Sequence, residues 1–188
     1  MSRLEARIGR ITLKNPVIAA AGEHLIDADG IRSAILAGAG AVVGKSCNES
    51  EAARDQLTRA EYVALGPDWS PVPWGPDAPK ATILTRSGLT PLSFPAWLDQ
   101  CVAMDRFADR HGCVYVPSLI LAAPEPAVVM AQAIEAAGLK LLEFNIGTPY
   151  ARQTTPGAVA TVLSPERVGE LTKMMVEALN IPVWIKIT

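Results

Sequence analysis

Two lysines, a glutamate and an asparagine occupy stretches of this sequence that are otherwise apolar, and they carry its most evident chemistry. Lys45 ends the run Ala41 to Lys45 (AVVGK), Glu143 and Asn145 lie within Lys140 to Ile146, and Lys186 lies within Pro182 to Thr188. Each run reads as a β-strand, so alternation decides which side chains share a face. In the last run Val183, Ile185 and Ile187 point one way, while Trp184, Lys186 and Thr188 point the other. The aliphatic set suits a layer of helices, which turns Lys186 to the interior. By the same rule Leu142, Phe144 and Ile146 leave Glu143 and Asn145 inward, and Val43 shares its face with Lys45. Burying a lysine is costly unless an anion or good acceptors meet it. A phosphate or an electron-rich cofactor would offset two such cations. The competing reading is structural: Lys45 and Lys186 stretch to solvent or pair with Glu143.

The elements that must hold these residues alternate short β-branched runs with longer amphipathic ones. Pro16 to Ala20 (PVIAA) predicts a buried strand, Ala28 to Ala37 a helix broken by Gly38 to Gly40, and Ala41 to Lys45 a second strand. Residues 48 to 91, rich in Pro, Gly, Asp and Ser, predict an irregular excursion. A stretch that long without regular structure is usually functional. Leu92 to Arg110 predicts a helix interrupted near its start by Pro95, Val114 to Leu121 a strand, and Pro126 to Ala137 a helix. Lys140 to Ile146 is the next strand. Ser164 then reads as an N-cap, with Pro165 at N1 and Glu166 behind it, opening a helix that ends at Asn180 before the last strand.

Five strands with helices between them predict parallel pairing and an α/β architecture. An open doubly wound sheet and an eightfold barrel both satisfy that pattern. No GxGxxG opens the first helix, which weakens the dinucleotide-binding version. A barrel needs eight units and typically about 250 residues, and it keeps its active site at the C-terminal strand ends, where both lysines fall. The sequence runs out after five strands, within VWIKIT, so the expectation is a fragment or one half of a split protein.

Composition narrows the class further. The 188 residues and 19.9 kDa suit roughly one domain. With 49% apolar and 19% charged residues, a packed core is expected and wholesale disorder is not. The net charge of −2 argues against a nucleic-acid binder. No apolar run approaches the roughly 18 residues of a membrane span, and MSRLEARIGRITLKNP lacks the apolar stretch of a signal peptide. Cys47, Cys101 and Cys113 are odd in number and widely spaced, so they form neither a metal pattern nor a disulfide framework. A reducing, cytoplasmic setting fits them.

The pieces LKNPVIAAAG (13–22), GAGAVVGKS (38–46), SGL (87–89), EFNIGTP (143–149) and IPVWIKIT (181–188) occur in the order and spacing of a known family. The chain resembles the N-terminal five-eighths of dihydroorotate dehydrogenases and of the related flavin domain of dihydropyrimidine dehydrogenases. The resemblance implies a partial (β/α)8 TIM barrel over residues 1–188 that binds flavin mononucleotide (FMN) at its C-terminal mouth. It implies FMN contacts at Ala20, Ala21, Gly22, Lys45, Ser46, Asn145 and Lys186. It also implies substrate contacts at Lys45, Thr85, Ser87, Gly88, Leu89, Asn145 and Tyr150, with Thr148 and Lys45 as the catalytic pair. Where the family carries Cys or Ser as general base, then Pro and Asn, this chain has Thr148, Pro149 and Tyr150. A threonine hydroxyl relays a proton but is too weak a base unaided. Thr85 likewise stands where an asparagine is usual. These substitutions point away from dihydroorotate itself.

The implied activity is an FMN-dependent oxidoreductase acting on a ring C–C bond of a small anionic or pyrimidine-like substrate. The implied assembly is a homodimer, or a second polypeptide supplying the missing strands. Two other readings stand beside it: a non-catalytic half-barrel that completes a partner's site, and a flavin-free enzyme using Lys45 or Lys186 as a Schiff-base amine. Cys47, two residues past Lys45, could share its face. His24, His111, Trp69, Trp74 and Trp97 read mainly as structural, and Arg152 and Gln153 could close over a substrate.

Overall fold

The computed structural model describes residues 4–50, 54, 62–75, 82–85, 88–147 and 164–187. Apolar spacing of three and four builds its helices. In α1 (Ala28–Leu36) Ile31 and Ile35 are buried, and the Asp27 carboxylate caps the N-terminus by accepting from Gly30 N at 2.9 Å. In α2 (Phe94–Arg110) the stripe is Trp97, Cys101, Met104 and Ala108. Pro95 sits in the first turn of α2, where its missing N–H costs no helical bond, so it starts the helix rather than interrupting it. In α3 (Pro124–Ala136) Ala127, Met130, Ala131 and Ile134 are buried. In α4 (Pro165–Ala178) Leu171 and Met175 are buried, and Ser164 Oγ accepts from Arg167 N at 3.3 Å as the expected N-cap. Gly38 and Gly138 take positive φ one residue past the C-caps of α1 and α3, which stops both helices.

The strands between these helices run parallel and in chain order. β3 (Ile18–Ala19) pairs with β4 (Ala41–Val43), and β4 with β8 (Val114–Val116). β9 (Ser118–Ile120) pairs with β10 (Leu142–Asn145), and β10 with β11 (Val183–Lys186). The single strand expected over Val114 to Leu121 is therefore two. Pro117 brings no N–H to the ladder, and the chain changes partner there. A parallel bridge between Cys47 and Leu119, with Cys47 N on Ser118 O and Ile120 N on Cys47 O, ties the two sheets together. The architecture is thus α/β.

Two antiparallel additions lie outside the expected pattern. A hairpin, β1 (Ala6–Ile8) and β2 (Ile11–Leu13), precedes the first parallel strand. The excursion expected to be irregular carries a three-stranded sheet ordered β6 (Pro71–Val72), β5 (Tyr62–Leu65), β7 (Thr82–Thr85). Its strands are only two to four residues long, too short for alternation to stand out among the prolines and glycines.

Two cores line the faces of the parallel strands. The helix side gathers Leu25, Ile31, Ile35, Trp97, Tyr115, Leu142 and Phe144, with Val183 and Ile185 against them. The other side packs Leu13, Ala41, Val43, Val116 and Leu141, with Trp184 against them. Alternation in β10 and β11 is as expected: Phe144 and Ile185 face the helices, Trp184 the interior. Among the described residues no helix is long and apolar enough to cross a membrane.

Cys47 belongs to the helix-side core and does not share the face of Lys45. Burial pushes its thiol up to about 12, so it stays protonated throughout the neutral range. Iodoacetamide is expected to leave Cys47 unmodified in the folded protein at pH 8, and rapid native-state alkylation would contradict this placement. Gly44 lies under Tyr115, and a Cβ there would stand 2.2 Å from the tyrosine hydroxyl. Tyr115 is fully buried with its hydroxyl 3.4 Å from Cys101 Sγ, so it has little room to retreat. Gly44→Ala is expected to cost about 1–3 kcal/mol by overpacking, read as a lower urea midpoint; an unchanged midpoint would mean that the ring yields freely.

Candidate functional site

Beyond the C-terminal end of β4 the chain turns inward as Lys45 and Ser46, 7% and 6% exposed. The backbone there is held from three sides. Lys45 N donates to Leu25 O, the buried Trp97 indole donates to Lys45 O at 2.9 Å, and Thr90 N donates to Ser46 O. Trp97 therefore anchors the site's backbone, in keeping with a structural role, while Trp69 and Trp74 are exposed.

The Lys45 ammonium meets Glu23 Oε1 at 2.5 Å. Glu23 opens a single 3-10 turn (Glu23–Leu25) directly after the Ala20–Gly22 loop. Parallel register then sets the opposite wall: Ser118 stands beside Glu143, and Asn145 beside both Ile120 and Lys186. Ser118 Oγ donates to Glu143 Oε1 at 2.8 Å, and Ser46 Oγ lies 2.8 Å from Ser118 Oγ. A serine has one hydroxyl proton, so Ser46 must donate to Ser118. Lys186 Nζ lies 3.4 Å from the same Glu143 oxygen. A connected row, Ser46–Ser118–Glu143–Lys186, thus runs from the residue beyond β4 across β9, β10 and β11.

The lysines were expected to need an outside anion or to share Glu143. Lys186 does take Glu143, but Lys45 takes Glu23, so that among the described residues two cations face two carboxylates. Glu23 and Ser118 escaped the sequence reading. Ser118 had a visible signal, as the one polar residue in the inward series Val116, Ser118, Ile120. Glu23 had none, because only folding brings the turn after β3 against the end of β4.

The remaining expected contacts distribute as follows. Asn145 is buried, with Oδ1 accepting from Gly147 N at 3.0 Å. Ala20 is exposed, and Ala21 and Gly22 are half-buried beside Glu23. Gly88 and Leu89 come to the site through the Thr90–Ser46 bond, but Leu89 is fully buried on Ile120, where it packs. Thr148, Tyr150, Ser87, Arg152, Gln153 and the side chain of Thr85 lie outside the described residues. His24 is exposed, and His111 lies at the end of α2 with its ring 4.6 Å from that of Phe107.

The loop following Ser46 keeps unspent hydrogen-bonding capacity. Asn48 Nδ2 and Glu49 Oε2 are buried without a partner among the described residues. Their other polar atoms are used, Asn48 Oδ1 by Ser50 N and Glu49 Oε1 by Ala123 N. An unmet buried polar atom costs about 1–3 kcal/mol, which a polar guest or a water would relieve. Chemically the whole arrangement provides fixed cations, hydroxyls and an amide on one wall, suited to binding a polar planar molecule and stabilising charge that develops on it.

No protein-family model matches the chain. Over 99% of its length the chain is 26% identical to a protein of Methanocella arvoryzae named as the catalytic subunit of dihydroorotate dehydrogenase B (NAD(+)). The alignment covers 54% of that relative, so the chain spans about half its length.

Proposed function

We propose that this chain is part of an FMN-dependent oxidoreductase of the dihydroorotate dehydrogenase type, and that residues 1–188 form the first five units of a (β/α)8 barrel. The observation that carries the reading is the polar row Ser46–Ser118–Glu143–Lys186, which links the residue beyond β4 to β9, β10 and β11, with Lys45 next to Ser46 in the chain and Asn145 paired with Lys186. Strand order supports the barrel: a doubly wound sheet reverses direction at a switch point, whereas these strands succeed one another in chain order. Three further strands, from the same polypeptide or a second one, would complete it. The relative's name as a catalytic subunit is consistent with an assembly of more than one chain.

The donor set fits a flavin. Among the described residues two cations face two carboxylates, and Lys186, with its side chain one-third exposed, is the cation best placed to meet charge on the ring. FMN, when bound, would supply the hydride acceptor. The chain's own residues do the rest. Lys45 holds a positive charge towards an anionic substrate group, with its backbone fixed by Trp97 and its ammonium by Glu23. Asn145 supplies an amide between substrate and flavin, and Ala20, Ala21 and Gly22 form the floor beside them. Gly88, with Thr85, Ser87 and Tyr150, borders the substrate, and Leu89, packed on Ile120, holds that loop in place. Thr148 relays the proton leaving the carbon next to the one that loses hydride on to water, and the two losses together create a ring double bond. The substrate is a small anionic or pyrimidine-like ring, and Thr85 and Tyr150 favour one other than dihydroorotate.

The protein at its natural length is expected to carry one FMN per barrel, measured by acid release and identification of the flavin. Absence of flavin from preparations supplied with FMN would overturn the reading. Lys186→Ala is expected to lower the flavin reduction potential by about 30 mV or more, the equivalent of about 1.4 kcal/mol for a two-electron couple. An unchanged potential together with unchanged FMN affinity would remove Lys186 from the site. Thr148→Ala is expected to slow flavin reduction by about 10²–10⁴-fold while substrate Kd changes little, as followed by stopped-flow absorbance. Unaltered reduction would place the proton relay elsewhere.

A further inference from the structure

Glu143 Oε1 is asked to serve two donors at once. Ser118 Oγ occupies it at 2.8 Å, while Lys186 Nζ stands back at 3.4 Å. Ser118 is fully buried, and with Ser46 donating to it, its own proton goes to the Glu143 carboxylate. The carboxylate is buried too, whereas the Lys186 side chain is one-third exposed. A carboxylate oxygen already engaged by a short neutral hydrogen bond offers less to an ammonium beside it. The lysine is thereby oriented by a counter-charge without being fully neutralised by it.

We infer that Glu143 and Ser118 are positioning residues that set the effective charge of Lys186: Glu143 restrains the ammonium, and Ser118 limits how strongly it does so. The inference rests on the flavin reading for its consequence, but the local charge relation belongs to this chain alone. Its signature is a pair of opposite effects. Glu143→Gln removes the counter-charge and takes the set Lys45, Lys186, Glu23 and Glu143 from balanced to one net positive charge. Ser118→Ala keeps the charge but frees the carboxylate oxygen, which then closes on its remaining donor, Lys186. A side chain that merely supported the fold would shift both variants the same way.

The test has two readouts on the protein at its natural length, with thermal melts confirming that each variant folds. The first is the rate at which acetic anhydride modifies Lys186 in flavin-free protein, followed by mass spectrometry. Glu143→Gln is expected to raise that rate severalfold and Ser118→Ala to lower it. Equal rates, or shifts of the same sign, would overturn the inference whether or not flavin binds. The second is the midpoint potential of bound FMN. Glu143→Gln is expected to favour the reduced form about tenfold, about 30 mV upward for a two-electron couple, and Ser118→Ala is expected to move it downward. Opposite labelling shifts in a protein that binds no FMN would uphold the positioning roles and sink the flavin reading. Opposite labelling shifts with an unmoved potential would overturn the tuning of the flavin. Should Glu143→Gln fail to fold, the sign of the Ser118→Ala shifts still decides: higher labelling or a higher potential refutes the inference.

Discussion

Charge buried at the ends of parallel strands is the constraint on which the rest of this structure turns. Lys45 and Glu143 are almost fully enclosed, and breaking a buried pair by removing one partner typically costs about 3–5 kcal/mol. The fold meets that demand locally. A turn immediately after the first parallel strand delivers Glu23 to Lys45, and the register of the last two strands delivers Glu143 to Lys186. A one-residue slip of β11 would send Lys186 to the helix side and Ile185 to the polar wall. The polar row and the aliphatic packing of Val183 and Ile185 therefore specify the same register.

The interior divides along the strand axis. At the N-terminal end Leu13, Ala41, Val43, Val116 and Leu141 form a dry cluster, partly supplied by the β1–β2 hairpin. Toward the other end the same inward-facing positions become Lys45, Ser118, Glu143, Asn145 and Lys186. The apolar cluster and the polar row thus occupy successive inward positions along the chain, Val43 then Lys45, Val116 then Ser118, Leu141 then Glu143. The helices stand outside both regions, yet they reach the site where needed: Trp97 of α2 passes through the helix-side core to hold the Lys45 carbonyl.

The inward placement of Glu143, Asn145 and Lys186 was legible in the sequence because strand alternation has a period of two, and the helices because their stripes follow spacings of three and four. The Ser164 cap was legible for an equally local reason, a side chain bonding three residues ahead. The division of the third strand at Pro117 was visible as a proline but not as a change of partner, since partner choice is a long-range event. The small antiparallel sheet within residues 62–85 was hidden because short strands carry too few residues to display a pattern. Ser118 was visible as the one polar residue of its inward series, but its role was not, because a lone serine in an apolar strand has no meaning until its neighbours across the sheet are known.

What the sequence determined by itself is therefore the set of local regularities: parallel α/β alternation, which face each strand residue takes, and where each helix starts. Tertiary structure alone decided which charges meet. Glu23 finds Lys45 across 22 residues, and Ser118 finds Glu143 across 25 and Ser46 across 72. Such distances in the chain carry no periodic trace. The contacts exist only once parallel register and the turn after β3 have brought separate strand ends within hydrogen-bonding reach.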